Sequence, residues 1–358
     1  MQIKDKNLYY VGGVVRDEIL GQHSVDTDFC YEGNAIEFAK GLNVVKVNPD
    51  FGTVRILSED GEVDIASTRT EIYPKAGHLP IVKSIGCSLE EDLKRRDFTI
   101  NAMAKNTVTG EITDYFGGLE DIRNKKIRVL HEKSFIDDPS RIIRALKFSV
   151  RFGFELEENT KQLQDEYLAN INYDMSYHRL KKELKETFSL NSEKTYDTFI
   201  EQGIYKLLGK ACSVPILVSS ANILNNEFTP TYPYMVYLGL FDLSNFELTL
   251  DEQNIIESFH KIKTFKPTTD IEAYKLFSDI PLESILLYAI TVDTQIALNY
   301  LKKLSKIKIE TTGADLIELG FLQGKIFKEI LNYITEQKVA NPNLTKEQEL
   351  QLVKEKFL

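Results

Sequence analysis

The 358-residue sequence lacks the features that would assign it to a membrane, to a disulfide-stabilised fold or to a nonspecific nucleic-acid coat. No apolar run approaches the roughly 20 residues that span a bilayer, and the N-terminal segment MQIKDKNLYY does not resemble a signal peptide. The three cysteines follow neither metal-ligand nor disulfide spacing, and the five histidines stand singly, so we expect a cytoplasmic protein without structural zinc. The net charge of −10 disfavours indiscriminate coating of nucleic acid, because phosphate binding needs excess Lys and Arg at the contact surface.

Two patterns of apolar residues divide the chain near residues 131–138. Before this point, short β-like runs alternate with helical segments and glycine turns, which is typical of a mixed α/β domain. After it, apolar residues recur at three- and four-residue spacing and predict an almost wholly helical region. The predicted strands are LYYVGG, TVRILS, EVDIAS, EITDYF and KIRVL, and the predicted helices include RIIRALKFSVRF, HRLKKELKETF, LESILLYAITVDTQIALNYLKKL and KIFKEILNYITEQ. The sequence therefore predicts an α+β protein with more than one unit.

Two aspartates flank one threonine in the segment VDTDF (25–29). In a strand, Asp26 and Asp28 would project from the same face, about 7 Å apart at the backbone, and would repel each other. A hard divalent cation, with Mg²⁺ held partly by substrate phosphates as the expected choice, would relieve this repulsion. Two such ions, ~3.5–4 Å apart, can activate an attacking hydroxyl and neutralise a leaving pyrophosphate. A solvated Asp-x-Asp motif is the alternative interpretation, and Asp64, on a predicted neighbouring strand, would either complete the metal cage or lie at the surface.

The residues before this pair predict a phosphate-binding turn. An apolar strand, a turn at Gly12 and Gly13 and a helix that starts at Val14 would bring backbone N–H groups close to a phosphate. Arg16 would lie beside them in the first helical turn. A Gly-Gly turn by itself is more often a chain reversal, but one that precedes an aspartate pair is typical of a triphosphate site next to a metal site.

Four motifs together resemble one family. They are GGVVRD with DTDF, EEDLKRRDFTINAMA (90–104), DYFGGLEDIR (114–123) and DDPSRIIRALKFSVRFGF (137–154). In this order and spacing they resemble the class II tRNA nucleotidyltransferases and bacterial poly(A) polymerases of the polymerase-β-like nucleotidyltransferase superfamily. The resemblance implies a head of mixed sheet and helices at 1–130, a helical neck with a nucleotide-selecting segment at 131–190, and an all-α body and tail at 191–358 that bind tRNA.

The resemblance also assigns roles to individual residues. It implies that Asp26 and Asp28 bind the metal, Mg²⁺, at the catalytic site. The triphosphate-binding positions are Gly12, Gly13 and Arg16, and the positions that contact the phosphates and sugar of the incoming nucleotide are Arg96, Asp97 and Asn101.

The segment DDPSR (137–141) combines a helix start with a candidate base-reading pair. Pro139 suits the first position of a helix, which makes Asp138 its cap and places Arg141 one turn further on the same face. A carboxylate can accept from the exocyclic amino group of cytosine or adenine, while a guanidinium donates to the adjacent ring nitrogen or carbonyl. The resemblance implies a protein template for CTP and ATP, with Asp137 where the family usually has Glu. On the residues alone, an ordinary helix start is the alternative.

Further basic residues follow along the same predicted helix. Arg144, Lys147 and Arg151 recur at intervals of three and four, which is typical of a solvated stripe. Beside a triphosphate site they would equally suit contacts with phosphates, Arg144 first. The segment SYHRLKKELKETF (176–188) is a second basic helix, which would face either tRNA phosphates or solvent.

The segment 67–86 is predicted to be a mobile loop between a strand and a helix, because it is rich in Pro, Gly and polar residues. In the family, a flexible loop at this position accompanies the ability to add the terminal A, and enzymes restricted to CC lack it. The resemblance therefore implies A addition.

The leading interpretation is a CCA-adding enzyme that transfers CMP twice and AMP once from CTP and ATP to the tRNA 3′ end, with release of pyrophosphate. An A-adding enzyme that completes tRNAs already carrying CC and a poly(A) polymerase are the alternatives. Outside this class, a non-catalytic RNA-binding relative is disfavoured by the aspartate pair, and a small-molecule transferase by the long helical half. The expected partners are the tRNA 3′ end, ATP and CTP, without a membrane or DNA.

Overall fold

The structure is a computed structural model that describes residues 3–24, 27–58, 61–190, 193–209 and 219–358. The chain divides into two compact units, residues 1–211 and 212–358. A mixed sheet with helices in the first unit and helices in the second confirm the predicted α+β class. The predicted boundary near residue 130 lies inside the first unit, so the division into head and neck stays a prediction.

The described part of the first unit is built on a seven-stranded mixed sheet. The described strands of this unit, inside and outside that sheet, are β1 (Leu8–Val11), β2 (Asp28–Tyr31), β3 (Val44–Asn48), β4 (Thr53–Ser58), β5 (Gly61–Ser67), β6 (Arg69–Ile72), β7 (Ile81–Ile85), β8 (Met103–Asn106), β9 (Ile112–Asp114), β10 (Lys126–Ile127) and β11 (Glu155–Leu156). The sheet order is β3-β4-β5-β2-β1-β8-β9, in which β2 and β5 are parallel and the other neighbouring pairs are antiparallel. All five predicted strands are present, and β4 coincides with TVRILS.

Helices cover the sheet and follow it in the first unit. They are α1 (Gly13–Ile19), α2 (Ala35–Phe38), α3 (Leu89–Lys94), α4 (Gly118–Arg123), α5 (Ser134–Asp137), α6 (Ser140–Phe152), α7 (Glu158–Ala169), α8 (Tyr177–Phe188) and α9 (Glu193–Glu201), with 3₁₀ helices at Pro49–Phe51, Thr99–Asn101 and Ile204–Leu208. The presence of α6 and α8 confirms the two helices that the periodicity predicted in this region.

Alternation along the strands gives the sheet two apolar faces. Phe29 of β2 and Ile65 of β5 are buried in a cluster that includes α2, whereas Cys30 packs on the other face with α3. Because neighbouring residues of a strand point to opposite faces, Asp28 and Asp64 both project from the side opposite α2. The two carboxylates thus share one face of the sheet.

The segment 67–86, which was predicted to be a mobile loop, contains the antiparallel strands β6 and β7. Branched residues in both arms, such as Thr70 and Val82, favour a strand. The prolines and Gly77 lie in the connection at 73–80. The loop prediction is therefore wrong for the two arms, because turn residues that belong to the connection dominated the sequence pattern.

The described part of the second unit is helical. Its helices are α10 (Ser219–Phe228), α11 (Pro233–Leu238), α12 (Leu250–Ile262), α13 (Asp270–Phe277), α14 (Leu282–Thr291), α15 (Thr294–Lys302), α16 (Gly313–Glu318), α17 (Lys325–Ala340) and α18 (Lys346–Phe357), with a 3₁₀ helix at Leu304–Lys306. The predicted helix over 282–304 is divided into α14 and α15, because the Asp293 carboxylate accepts a hydrogen bond from the backbone N–H of Ile296 and caps a new helix. Within the described ranges, every helix is too short or too polar to cross a bilayer.

Gly118, the first residue of α4, packs against the 3₁₀ helix that carries Asn101. A Cβ atom on Gly118 would lie 2.4 Å from the carbonyl oxygen of Thr99 and 3.0 Å from the Met103 side chain. We expect Gly118→Ala to lower the free energy of unfolding by about 1–3 kcal/mol, because the added methyl group must displace backbone. Urea denaturation of the full chain, followed by circular dichroism, measures this change.

Gly324→Ala is the matched control. Nothing lies within 4 Å of a Cβ atom built on Gly324, and its backbone is extended. We expect its free energy of unfolding to change by less than about 0.5 kcal/mol. Equal destabilisation by both substitutions would contradict the proposed clash at Gly118.

Candidate active site

A pocket of about 720 Å³ in the first unit contains most of the residues that the sequence singled out. Its walls come from α1, the start of β2, the β6–β7 ribbon, the segment after α3, and α6 and α8. The predicted site residues that line it are Gly12, Gly13, Arg16, Asp28, Arg96, Asp97, Asn101, Asp138, Arg141 and Arg144. A second pocket of about 350 Å³ shares Asp28, Arg69 and Arg96 with the first and adds Asp64.

Of the predicted metal-binding pair Asp26 and Asp28, the structure describes Asp28. Asp28 begins β2, and it pairs in register with Asp64 of the parallel neighbour β5. Neighbouring strands lie about 4.8 Å apart, so the two carboxylates project side by side into the smaller pocket. Asp26 lies outside the described residues, and its predicted place beside Asp28 stays a prediction.

The chemistry of this acidic pair suits a divalent cation, because carboxylate oxygens are the ligands that Mg²⁺ prefers and substrate phosphates can complete its shell. Asp64 also accepts two hydrogen bonds from Arg55, at 2.8 and 2.7 Å. These bonds lower the pKa of Asp64. Within the described ranges, no three His, Cys, Asp or Glu side chains form a group that could hold a metal. Asp28 and Asp64 therefore fit as two ligands, although Arg55 engages both oxygens of Asp64 in this structure.

The glycine turn brings Arg96 to the pocket. Gly12 has a φ of 72°, in the left-handed region that glycine adopts without strain. A Cβ atom there would lie 3.1 Å from an amino group of Arg96. The Arg96 Nη2 group donates to Asp92 at 3.1 Å, while its buried Nε has no hydrogen-bond partner in the described part of the chain. A cation with an unused donor beside the turn supports the predicted phosphate contact.

Arg16 is more deeply packed than the sequence predicted. Its guanidinium donates to Asp17 at 2.9 and 2.7 Å and to the Asn101 side-chain oxygen at 2.5 Å. It also lies 5.0 Å from the Phe148 ring centre and 4.7 Å from that of Phe152. Arg16 thus connects α1 to α6, and its predicted contact with a triphosphate stays a prediction.

A buried ion-pair network joins the segment after α3 to α6 and α8. Arg144 donates to Asp97 through Nε at 2.7 Å, and its Nη1 donates to Glu183 of α8 at 3.2 Å. Burial alone would raise the pKa of Asp97, but the Arg144 charge and the hydrogen bonds from Asn101 outweigh it and lower the pKa to about 2. Burial opposes the charge of Arg144 as well, yet Asp97 and Glu183 raise its pKa.

The rest of the basic stripe on α6 is also paired with acidic groups. Lys147 donates to Glu183 and Glu186 of α8 at 2.7 Å each, and Arg151 donates to Asp17 at 3.3 Å. The stripe therefore lines the pocket as a set of ion pairs, so the interpretation as a merely solvated face is wrong. A contact with phosphates would have to compete with these carboxylates.

The segment 137–141 forms the predicted helix start. The Asp138 carboxylate accepts from the backbone N–H of Ser140 at 3.1 Å, but α6 begins at Ser140 with Pro139 as its N-cap, one residue later than predicted. The Nε of Arg141 lies 3.8 Å from the Asp138 carboxylate, which confirms that the two side chains share a face. Both residues are buried in the pocket wall. Their role in reading a base stays a prediction.

Sequence reasoning missed Arg179 of α8, which donates to the second oxygen of the Asp138 carboxylate. The signal was present, because Arg179, Glu183 and Glu186 recur at helical spacing and all three line the pocket. The pattern had been interpreted only as part of a basic surface helix. Arg179 instead belongs to the pocket wall.

Comparisons with known proteins agree with this architecture. A family model described as the Poly A polymerase head domain matches residues 8–128. The A-adding tRNA nucleotidyltransferase of Halalkalibacterium halodurans is 31% identical over 383 residues, which cover 98% of this chain and 89% of that protein. The CCA-adding enzyme of Lactobacillus helveticus is 29% identical over 374 residues, which cover 93% of this chain and 89% of that protein.

A shorter match is more similar in sequence. The A-adding tRNA nucleotidyltransferase of Aquifex aeolicus is 49% identical over 164 residues, which cover 43% of this chain. That match spans only 20% of the length of the Aquifex protein.

Solved structures share the fold along nearly the whole chain. An apo form of a CCA-adding enzyme has a TM-score of 0.79 and 29% identity, covering 97% of this chain and 91% of that chain. The complex of a CCA-adding enzyme with CTP has a TM-score of 0.76 and 26% identity, covering 96% of this chain and 88% of that chain. The corresponding complex with ATP has a TM-score of 0.76 and 27% identity, covering 98% and 91%.

A mixed sheet with paired carboxylates beside an arginine-rich pocket, followed by a helical region, defines a nucleotidyltransferase. The 31% identity over almost the full chain shows that this protein belongs to the family of A-adding and CCA-adding tRNA nucleotidyltransferases. The predicted family is thereby confirmed.

The low pKa of Asp97 makes a testable contribution to stability. Its pKa falls from an ordinary 3.8 to about 2 in the fold, so the stabilisation is complete above pH 4 and is lost as the pH falls towards 2. We expect the stability advantage of the wild type over Asp97→Asn to shrink by about 2 kcal/mol from pH 6 to pH 2. Urea denaturation at a series of pH values measures it.

Glu155→Gln is the control, because the Glu155 side chain is 80% exposed and pairs only with the surface Lys126 in the described residues. The difference between this variant and the wild type should stay nearly constant over the same pH range. A constant difference for Asp97→Asn as well would show that Asp97 carries no depressed pKa.

Proposed function

We propose that this chain adds the terminal nucleotides of the CCA sequence to tRNA, with AMP transfer from ATP as its minimal activity. The observation that carries the proposal is that the two pockets share Asp28, Arg69 and Arg96 in their walls. One end holds the paired carboxylates, and the other holds Asp138 and Arg141. A nucleoside triphosphate needs a site of this kind, with a metal near its phosphates and hydrogen-bonding groups at its base.

The reaction is a transfer of one nucleotidyl group. The 3′ hydroxyl oxygen of the RNA bonds to the α-phosphorus of the nucleotide, the bond from that phosphorus to the pyrophosphate oxygen breaks, and the hydroxyl proton passes to solvent water. A divalent ion, which we propose to be Mg²⁺, would supply charge neutralisation for the phosphates. Asp28 and Asp64 would hold this ion, and Arg96 would bind the triphosphate beside Gly12.

The base-reading end explains a preference for ATP and CTP. Adenine and cytosine present an amino group that donates to a carboxylate such as Asp138, whereas guanine and uracil present a carbonyl at the equivalent position. Two acceptors facing each other would leave buried groups unpaired, at a cost of about 1–3 kcal/mol per group. The same pocket therefore suits both accepted bases, and it does not separate C addition from A addition.

Two candidates remain within this proposal. The CCA-adding enzyme is the interpretation that the sequence motifs favoured. The A-adding enzyme is favoured by the two A-adding relatives, one 31% identical over nearly the full chain and one 49% identical over a shorter segment.

Nucleotide incorporation into defined tRNAs tests the proposal. We expect transfer of AMP to a tRNA that ends in CC, because both candidates perform this step. A tRNA that lacks all three terminal nucleotides, incubated with CTP alone and then with CTP and ATP, separates them: incorporation of CMP identifies the CCA-adding enzyme. No incorporation of AMP into the CC-ending tRNA would refute the proposed function.

Asp28→Asn tests the metal-binding carboxylate. The substitution keeps the size of the side chain and removes its charge, so we expect a loss of nucleotide transfer on the order of 100-fold or more without a change in circular dichroism. Glu111→Gln removes one negative charge from an exposed position outside both pockets and should keep normal transfer. Substantial transfer by Asp28→Asn would exclude Asp28 from the metal site.

A further inference from the structure

The smaller pocket extends past the acidic pair onto two strands that have no part in the proposed reaction. Its walls include Lys46 and Asn48 of β3 and Thr53 and Arg55 of β4. All four positions are paired in register across the two strands. Their side chains therefore lie next to one another on one face of the sheet.

This part of the sheet face is open to solvent. Val54 and Ile56 of β4 are buried on the side that carries α2, so alternation directs Arg55 to the opposite side. The Arg55 side chain is 44% exposed, and β3 is exposed along its whole length. A ligand can therefore reach Arg55 and Lys46 without displacing the apolar core.

Strand pairing aligns four charged residues in a row across this face. Asp28 pairs with Asp64, and Asp64 pairs with Arg55. Arg55 pairs in turn with Lys46. At about 4.8 Å per strand, Arg55 and Lys46 lie about 10 and 14 Å from Asp28 at the backbone. Arg55 forms an ion pair with Asp64, whereas the Lys46 ammonium forms none with any residue that the structure describes.

The sheet order places this row on the far side of Asp28 from the glycine turn. The strand β2, which begins with Asp28, lies between β1 and β5. Gly12 directly follows β1, whereas the row continues from Asp28 across β5, β4 and β3. The glycine turn and the positive end of the row therefore flank Asp28 from opposite sides.

Nucleotidyl transfer needs such an arrangement, because it brings two substrates together at one phosphorus. The attacking oxygen and the leaving oxygen lie roughly in line on opposite sides of that phosphorus. With the triphosphate in the large pocket beside Gly12 and Arg96, the acceptor hydroxyl must approach Asp28 from the other side. The face that carries Lys46 and Arg55 lies on that side.

We propose that this face binds the RNA acceptor, with Lys46 and Arg55 contacting the phosphates of its last nucleotides. A stacked strand rises about 3.4 Å per nucleotide. An acceptor whose 3′ hydroxyl lies at Asp28 therefore brings its last few phosphates within reach of long side chains on β4 and β3. Such contacts position a strand without reading its bases. The inference rests on the proposed function for the identity of the acceptor.

Lys46 is the residue through which the proposal is tested. Arg55 also neutralises Asp64, so its replacement would disturb the acidic pair as well as the RNA contact. Lys46→Gln removes the charge at the end of the row and leaves that ion pair in place. Lys40→Gln is the matched control, because the Lys40 side chain is 69% exposed and directly follows α2, on the opposite side of the sheet. Both variants have the same net charge.

Equilibrium binding to the full chain measures the effect without transfer. For a tRNA that ends in CC, we expect Lys46→Gln to weaken binding by about three- to tenfold at about 0.1 M salt. The slope of log K against log salt should become shallower by about 0.7, the contribution of one phosphate contact on a single strand. Lys46→Arg keeps the charge and should bind this tRNA within about twofold of the wild type. Lys40→Gln should bind it as the wild type does.

Two further ligands locate the contact. A tRNA whose 3′ strand is shortened to the end of the acceptor stem lacks the proposed phosphates, so Lys46→Gln and the wild type should bind it equally. ATP should bind Lys46→Gln within about twofold of the wild type, because Lys46 lies outside the large pocket.

Other outcomes overturn the inference. Equal weakening of the CC-ending and shortened tRNAs would place Lys46 against the acceptor stem. A loss of ATP affinity would assign Lys46 to the nucleotide, and equal weakening by Lys40→Gln would reduce the effect to net charge. Unchanged binding of the CC-ending tRNA by Lys46→Gln would remove this face from RNA recognition.

The two proposals fail separately. If the wild type transfers no AMP to the CC-ending tRNA, the proposed function fails, and the comparison of the two tRNAs still measures the role of Lys46. If the wild type transfers AMP and Lys46→Gln binds the CC-ending tRNA normally, the role of this face fails and the proposed function stands.

Discussion

The ion pair between Asp97 and Arg144 connects the two walls of the pocket, and the arrangement of the other site residues depends on it. Asp97 follows α3, and Arg144 stands on α6. Through Glu183, the same arginine also reaches α8, while Asn101 joins Asp97 to Arg16. Because these groups are largely buried, removal of one charge would leave its partner unpaired in a poorly solvated place. The network therefore joins the segment after α3 to α6 and α8 on the wall of the pocket.

The parallel pairing of β2 with β5 has a comparable effect at the acidic end. It sets Asp28 beside Asp64, although 36 positions separate them in the chain. Side-chain alternation then directs both carboxylates to the face opposite α2. Arg55, from the antiparallel neighbour β4, neutralises Asp64 in the protein without ligands. The positive charge of Arg55 thus offsets part of the negative charge of this acidic pair.

The pocket concentrates positively charged side chains in an acidic protein. The net charge is −10, yet arginines dominate the polar lining of this pocket. Nearby Asp and Glu residues balance much of the positive charge, as the ion pairs of Lys147 with Glu183 and of Arg151 with Asp17 show. A phosphate group that enters must therefore exchange with these carboxylates. Such an exchange favours ligands that carry several charges and a metal ion over single anions.

The sequence by itself determined the local elements. Alternation of apolar residues predicted β1, β4 and β5, and helical spacing predicted α6 and α8. The bond from the Ser140 N–H to the Asp138 carboxylate and the turn at Gly12 also followed from short-range chemistry, because such a carboxylate and a left-handed glycine act within a few residues of the chain. The motifs that carry the family resemblance lie in these same segments.

The tertiary structure alone decided which of these elements meet. Sequence patterns could not show that β2 pairs with β5, that Arg55 engages Asp64, or that Arg179 reaches Asp138 across 41 positions. They also misjudged the arms of the β6–β7 ribbon and the break before α15. A periodic pattern specifies the face that an element buries, but its neighbour is selected by the packing of many weak contacts from distant parts of the chain.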